Sequence, residues 1–420
     1  MKKIFKSRLF IIIFTIFLDG LGFGIMIPIV PLLLADPSSN FYILPKDASV
    51  ETGYVLLGLI TAIFPLMQFF STSILGELSD KIGRRPILMY TLLVTALSYI
   101  LFAIGISIKN IPLLFFSRAL AGITSGNLSV AQASIADVTE PKDRAKNFGL
   151  IGAAFGLSFI IGPFLGGKLS DPNVLPFLNP TIPFYFAATL ALINTISVKF
   201  NFAETNKYLK ENTKIIWTKA ATNILKAFQI PNLRFLFLTN FIFFSGFTFF
   251  VTFISVFFIK KFDFNQGQIG DFFSFIGLWI AFTQAVLTRK LSKYFTEPQI
   301  LKWAIIGDGI VIGLMFLAQS AWMLYFLAPF MAITQGLSFA NLTGLISRSA
   351  DQKIQGEVLG INASVQALAQ LIPPILSGFI AASFSPETPL LVASVVIIFS
   401  GILFITMYKG QKAPAHIKGY

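Results

Sequence analysis

Twelve apolar runs constrain this chain more than any other feature. They cover roughly 9–34, 52–75, 87–107, 111–137, 147–169, 181–202, 234–259, 268–288, 299–319, 321–347, 357–383 and 388–408. A helix that crosses a bilayer needs about 20 mostly apolar residues. The stretch 303–347 holds one charge, Asp308, and is too long for a single crossing, so Gln319-Ser320 marks the turn between the ninth and tenth spans. The first run continues from Met1–Arg8 without a small-residue cleavage site, which reads as a retained helix and not a signal peptide. The expected fold is an all-α integral membrane protein of twelve transmembrane helices in two pseudo-symmetric six-helix halves.

Charge placement agrees. Only 12% of the 420 residues are charged, against about 25% in soluble domains. If the N-terminus is cytoplasmic, 26 of the 32 Lys and Arg fall on inside segments and 5 on outside ones, with Arg118 inside a span. That bias predicts a multi-pass protein of the cell inner membrane with both termini cytoplasmic. The net charge of +13 therefore serves orientation, and no nucleic-acid partner is expected. The chain has no Cys, and its one His, His416, lies in the tail. Disulfides, thiolate chemistry and a histidine proton relay in the membrane are excluded. There is no G-x-x-x-x-G-K-[ST] phosphate loop, metal-ligand cluster, carboxyl dyad or Ser/His pair. No catalytic residue, metal or cofactor is expected, and an ATP-driven pump is excluded.

Residues 203–233 are polar and Lys-rich and divide the chain into an N-terminal half, 1–202, and a C-terminal half, 234–420. Part of this cytoplasmic linker reads as an amphipathic surface helix through Ile215, Ile216, Trp217, Ala220, Ile224 and Leu225. An internal repeat supports the division: 135–149 aligns with 346–360 at an offset of 211, and the same offset carries Pro163 onto Pro374 and Gly167 onto Gly378. Paired repeats of this kind hold a substrate site between them near midplane.

Three charges lie inside spans, where each costs about 2.5–3.5 kcal/mol on insertion scales. Asp19 is roughly 15 Å into the first helix at 1.5 Å per residue, Asp308 is similarly deep in the ninth, and Arg118 enters the fourth from the other side. An acid exposed alternately to two sides, beside an arginine, loads and releases a proton. Asp19 is the candidate proton or cation site, Arg118 its modulator, and Asp308 a second acid in the other half. The plain alternative is a static Asp–Arg pair that locks helices.

Residues 76–88 read Gly-Glu-Leu-Ser-Asp-Lys-Ile-Gly-Arg-Arg-Pro-Ile-Leu, in which Gly76 and Gly83 suit tight turns. Through Gly76, Leu78, Asp80, Gly83, Arg84 and Arg85 this stretch resembles the signature loop of the major facilitator superfamily. Leu21-Gly22-x5-Pro28-Ile-Val-Pro31 and Gly162-Pro163-Phe-Leu-Gly166-Gly167 resemble motifs of its drug:proton antiporter branch, and Arg118-x3-Gly122 resembles a fourth-helix motif of the family. Ser158 stands where the fifth-helix motif has its first glycine. Spans one to five resemble the tetracycline-efflux type; the second half does so more loosely, through Gly307-Asp308, Gln335-Gly336 and Gln355-Gly356. The resemblance implies export of a small molecule in exchange for protons, and a protein that works as a monomer in the bilayer. It also implies that Gln68 and Gln284 face the cavity. Those pumps have an acid where this chain has Ser98, and some have a His in the eighth span, so a lipophilic or weakly cationic drug suits this chain better than a metal chelate.

Gln335, Asn240, Asn341, Asn362, Gln366 and Gln370 are further cavity candidates, with interhelical hydrogen bonding as the alternative. Asp137, at the end of the fourth span, is expected to pair with the loop arginines in the outward-open state and to release them as the inner side opens. Two other functions fit an apolar bundle: a proton-coupled importer or exporter of a sugar or small metabolite, and a channel or passive flippase. The fifth-helix motif argues against import, and a channel needs no titratable acid at midplane.

Overall fold

A computed structural model describes residues 8–45, 47–139, 144–206, 209, 219–229, 233–350 and 355–408. Among these, eleven helices are long and apolar enough to cross a membrane. They are spans 1–3 (Arg8–Leu34, Val50–Ile82, Arg84–Ser107), 5–7 (Arg144–Ser170, Ile182–Asn201, Arg234–Phe262) and 9–12 (Glu297–Phe316, Ala321–Arg348, Gln355–Ser383, Thr388–Met407), with span 8 running from Gln266 to Leu291. Span 4 supplies the twelfth crossing in two pieces, Ile111–Ser125 and Asn127–Val138, joined at Gly126. Each piece is too short to cross alone. Span 8 also departs from a plain helix, because a π-turn occupies Thr283–Leu287. All helical hydrogen bonds stay within each span, the arrangement a bilayer requires of the backbone.

One expectation needs correcting. Residues 76–82 are not a turn: span 2 stays helical to Ile82. Gly76 lies inside that helix, where its missing side chain allows close approach; a Cβ there would sit 3.1 Å from Ser129 Oγ. Only Gly83 turns the chain, at φ 103°, a conformation side chains disfavour. Of the linker, the described part is the helix Lys219–Gln229, held to span 11 by an Asn223–Ser364 hydrogen bond of 3.4 Å. Leu225 on it is exposed, and Ile215, Ile216 and Trp217 lie outside the described residues.

Span 1 is buried along most of its length, despite Pro28 and Pro31. Its glycines let span 5 come to backbone contact: a Cβ on Gly24 would fall 2.9 Å from Gly162 Cα, and one on Gly166 2.7 Å from Ile25 O. Small residues are the usual means of helix association where lipid competes for apolar surface.

Let the near face be the side on which span 1 starts, and the far face the opposite one. At the far face spans 2 and 11 touch, with Gly378 against Tyr54 O, and spans 5 and 8 touch, with Gly270 against Pro163 O; a Cβ on either glycine would lie 2.8 Å away. Lys168 Nζ bridges to Asp271 at 2.8 Å, and Gln266 Nε2 donates to Ser170 O at 3.1 Å, both between spans 5 and 8. Toward the near face, Gly152 and Gly156 of span 5 and Gly360 of span 11 would meet nothing within 4 Å. The two halves are in contact at the far face, and these near-face glycines look onto open space.

The Lys168–Asp271 bridge joins two spans that must separate for the far face to open. Lys168→Met should raise the open fraction, and the exchange Lys168→Asp with Asp271→Lys should restore closure. The pair is partly exposed, so about 1 kcal/mol is its ceiling, which is about fivefold in the closed-to-open ratio. Spin-label distances between the far ends of spans 5 and 8 would measure it; an unchanged distribution in Lys168→Met would show that glycine packing alone holds the closure.

Candidate functional site

The three charges within spans sit on different helices of the bundle. Asp19 is partly buried on span 1, and its Oδ2 is sealed from solvent without a hydrogen bond. Asn127, at the start of the second piece of span 4, lies against it, and neither amide atom of Asn127 makes a hydrogen bond. Arg118, on the first piece of span 4, is 4% exposed. Its guanidinium lies 4.6 Å over the Phe64 ring, a cation–π contact, and its Nε has no partner. Among the described residues neither Asp19 nor Arg118 forms an ion pair, so the static Asp–Arg lock is not present. Tyr99 of span 3 stands within electrostatic reach of both; its hydroxyl donates to Leu18 O at 3.3 Å and packs against Gly22. The flexible glycine segment of span 1 thus gives Tyr99 its seat.

Asp308 is fully buried in span 9. Thr334 of span 10 donates to its Oδ1 at 3.2 Å, and its Oδ2 is unpaired. Gly309 beside it packs on span 12, where Ser394 Oγ donates to Gly309 O at 2.7 Å. The glycines flanking Asp308 therefore serve close packing, while the acid faces span 10.

Arg118 lines both of the small cavities at this level. One, of about 30 Å³, is walled by Phe23 and Pro31 of span 1, Leu57 and Thr61 of span 2 and Thr252 of span 7. None of the eight polar cavity candidates borders either cavity. Asn240 and Asn362 bond each other across spans 7 and 11 at 2.8 Å. Asn341 donates to Leu337 O of its own helix at 2.7 Å. Gln335 is buried with Nε2 unpaired, Gln68 and Gln366 are half-buried, and Gln284 is exposed in the π-turn. The interhelical alternative accounts for Asn240 and Asn362.

A second constellation occupies the near face. Arg84 Nη1 meets Asp80 Oδ1 at 2.6 Å and Ser79 Oγ at 2.5 Å, while Arg84 Nε reaches Asp137 Oδ2 at 3.2 Å. Arg84 and Asp137 are thus paired while the far face is closed, so their contact is not reserved for the opposite, far-open state. Arg85 turns the other way, to the Lys199 carbonyl. Gly162 and Pro163 seat span 5 on span 1, and Gly167 reaches span 8.

Sequence reasoning missed the anchor of this network, Glu204, which follows span 6. Its carboxylate accepts the backbone N–H of Arg84 (2.9 Å) and Arg85 (3.0 Å) at the start of span 3, and those of Thr205 and Asn206, both 2.9 Å. Gly83, the residue that begins span 3, has no side chain to do this, so Glu204 caps the helix from 120 residues away. Thr205 Oγ1 then bonds Asp137 at 3.2 Å, and Asn206 bonds Asp80 O at 3.2 Å. A long-range cap leaves no local signal; only the four adjoining polar residues hint at it. Burial alone would raise the Glu204 carboxyl, but the four N–H donors outweigh it and hold it below the usual carboxylate range. A lowered folded-state pKa stabilises above the unfolded value and is lost as pH falls through the folded one. The cap should therefore persist unchanged from neutral pH down to about pH 5. Glu204→Ala should lower the melting temperature in detergent, consistent with a lost cap of about 1 kcal/mol; an unchanged melting curve would show that span 3 needs no such cap.

Comparison with known proteins places the site in a family. A family model described as Major Facilitator Superfamily matches residues 12–307 and 299–419. The class H tetracycline resistance protein of Pasteurella multocida is 32% identical, over 89% of this chain and 89% of its own length. The quinolone resistance protein NorA of Staphylococcus aureus is 26% identical, over 97% of this chain and 98% of its own. Among solved structures, the human organic anion transporter MFSD10 superposes with a TM-score of 0.71 at 22% identity, covering 95% of this chain and 99% of its own, a likeness of fold alone. With its twelve crossings, its near-face charge network and these matches, the chain belongs to the major facilitator superfamily.

Proposed function

We propose that this protein exports small lipophilic, aromatic drugs from the cytoplasm in exchange for protons. Family membership makes it a multi-pass membrane transporter of small molecules. The relatives named for tetracycline and quinolone resistance support the export direction and the substrate class. The observation that carries the coupling is Asp19: a carboxylate within span 1 with one oxygen sealed and unpaired and, among the described residues, no cation paired with it. Such a group takes up a proton when the far face is open and gives it up at the near face when substrate arrives. Asp308 is a second proton acceptor, inside the C-terminal half.

On this reading the near face is cytoplasmic, as the lysine and arginine bias requires, and the structure is the inward-facing arrangement. The halves 1–202 and 234–420 rock about the midplane site, with the linker 203–233 spanning them on the cytoplasmic side. Asp80, Arg84, Asp137 and Glu204 keep the near ends of spans 2, 3 and 4 moving as one body. The transporter works as a monomer. Ligands bias the two arrangements only through their difference in affinity for each, so proton and drug at one cavity are what couple the fluxes.

In cells lacking other efflux pumps, wild-type protein should lower ethidium and tetracycline accumulation, and a protonophore should abolish the difference. Asp19→Asn should leave accumulation at the level of cells without the protein. Full export by Asp19→Asn would remove Asp19 from the coupling; unchanged accumulation of every drug in the wild type would favour a metabolite substrate. Asp80→Asn removes one of the two acids on Arg84 and should cut export severalfold at unchanged expression, whereas normal export would free the near-face network of a gating role.

A further inference from the structure

Arg118 poses a separate problem. A guanidinium keeps its charge in proteins, and a buried charge without a counter-ion is strongly destabilising. Arg118 is 4% exposed and makes no hydrogen bond or ion pair with any described residue. Its neighbours supply none of the missing charge. Phe64 offers a ring face. Tyr99 has committed its hydroxyl hydrogen to Leu18 O. Asp19 forms no ion pair with Arg118, and its own Oδ2 has no partner. Two hydroxyls border the same cavity, Thr61 and Thr252, and both donate their hydrogens to their own helices, to Leu57 O at 2.8 Å and to Thr248 O at 2.7 Å.

The cavity that Arg118 lines has about 30 Å³, above the roughly 10–15 Å³ that one water needs. It is large enough for a carboxylate or an acidic enol and otherwise apolar. One wall, Phe23, stacks on Phe159 of span 5 at 6.4 Å, and Phe159 meets Phe247 of span 7 at 6.0 Å. These rings form an apolar surface, drawn from spans 1, 5 and 7, that reaches the Arg118 cavity through Phe23.

We infer that Arg118 is an anion subsite: it takes the carboxylate or acidic enol of a planar aromatic substrate whose rings lie against Phe23, Phe159 and Phe247. The inference rests on the export reading and narrows it, because an acidic aromatic drug then gains a contact that a simple lipophilic cation lacks. The planar guanidinium fork suits two parallel bonds to such an anion, and the anion supplies the charge that the protein leaves out. Asp19 is left free for the proton, so the two charges of the site serve different ligands.

The test compares binding of a fluoroquinolone with a free carboxylate and of its methyl ester to the purified full-length protein. The acid should bind wild type about tenfold tighter or more, the value of a charge-assisted hydrogen-bonded contact. Arg118→Gln should lower affinity for the acid to that for the ester while leaving the ester's affinity unchanged, which also shows that the variant folds. Arg118→Lys, with charge but no fork, should keep a weakened preference. Asp19→Asn should keep the full preference. Equal binding of the two probes by wild type, binding of neither, or a preference that survives Arg118→Gln would each overturn the subsite. Loss of the preference in Asp19→Asn would do so as well, by assigning the guanidinium to Asp19. Ethidium has no acid group, so its proton-driven export would stand after any of these failures and keep the broader reading.

Discussion

Burying charge where water cannot follow is the constraint on which this structure turns. The bilayer makes every intramembrane charge costly, and the bundle answers in two ways. At the near face it neutralises: Arg84 sits between Asp80 and Asp137, and Glu204 receives the exposed amides of span 3. At midplane it does not. Asp19, Arg118 and Asp308 are each held in place with at least one polar atom unpaired. Proteins keep such groups where something mobile completes them, and in a transporter the mobile partners are protons and substrate.

Close helix packing is the second condition, and glycine supplies it. Gly24 with Gly162, Gly167 with Gly270, and Gly58 with Gly378 bring backbones into contact at three interfaces. The last two pairs join the first six spans to the last six at the far face only. Contact without interlocking side chains is reversible, and it needs little rearrangement to part. The Lys168–Asp271 bridge adds direction to that closure without making it permanent, since a partly exposed pair is weak.

The near-face network shows how a signature stretch works physically. The charges of residues 76–85 do not form a free loop; they lie on the last turn of span 2 and the first of span 3, on either side of Gly83. Glu204 ties this corner to the exit of span 6, and Thr205 ties it to span 4 through Asp137. Four helix ends thus become one rigid corner, the property a body needs if it is to rock as a unit.

The sequence by itself determined the number of crossings and the superfamily, because hydrophobic length, charge bias and short motifs are local properties of the chain. Tertiary structure decided the rest. Asp19 and Arg118 could have paired, and among the described residues they do not; Tyr99 from a third helix stands within electrostatic reach of both. Asn240 and Asn362 read as cavity candidates, and in the fold Asn240 donates to Asn362 across 122 positions. Glu204 gives no local sign of being a cap, and Lys168 none of being a bridge, since each depends on a partner about 100 residues away or more. Which polar group faces ligand and which faces another helix is fixed by how the spans rotate against one another, and no periodicity within one helix records that rotation.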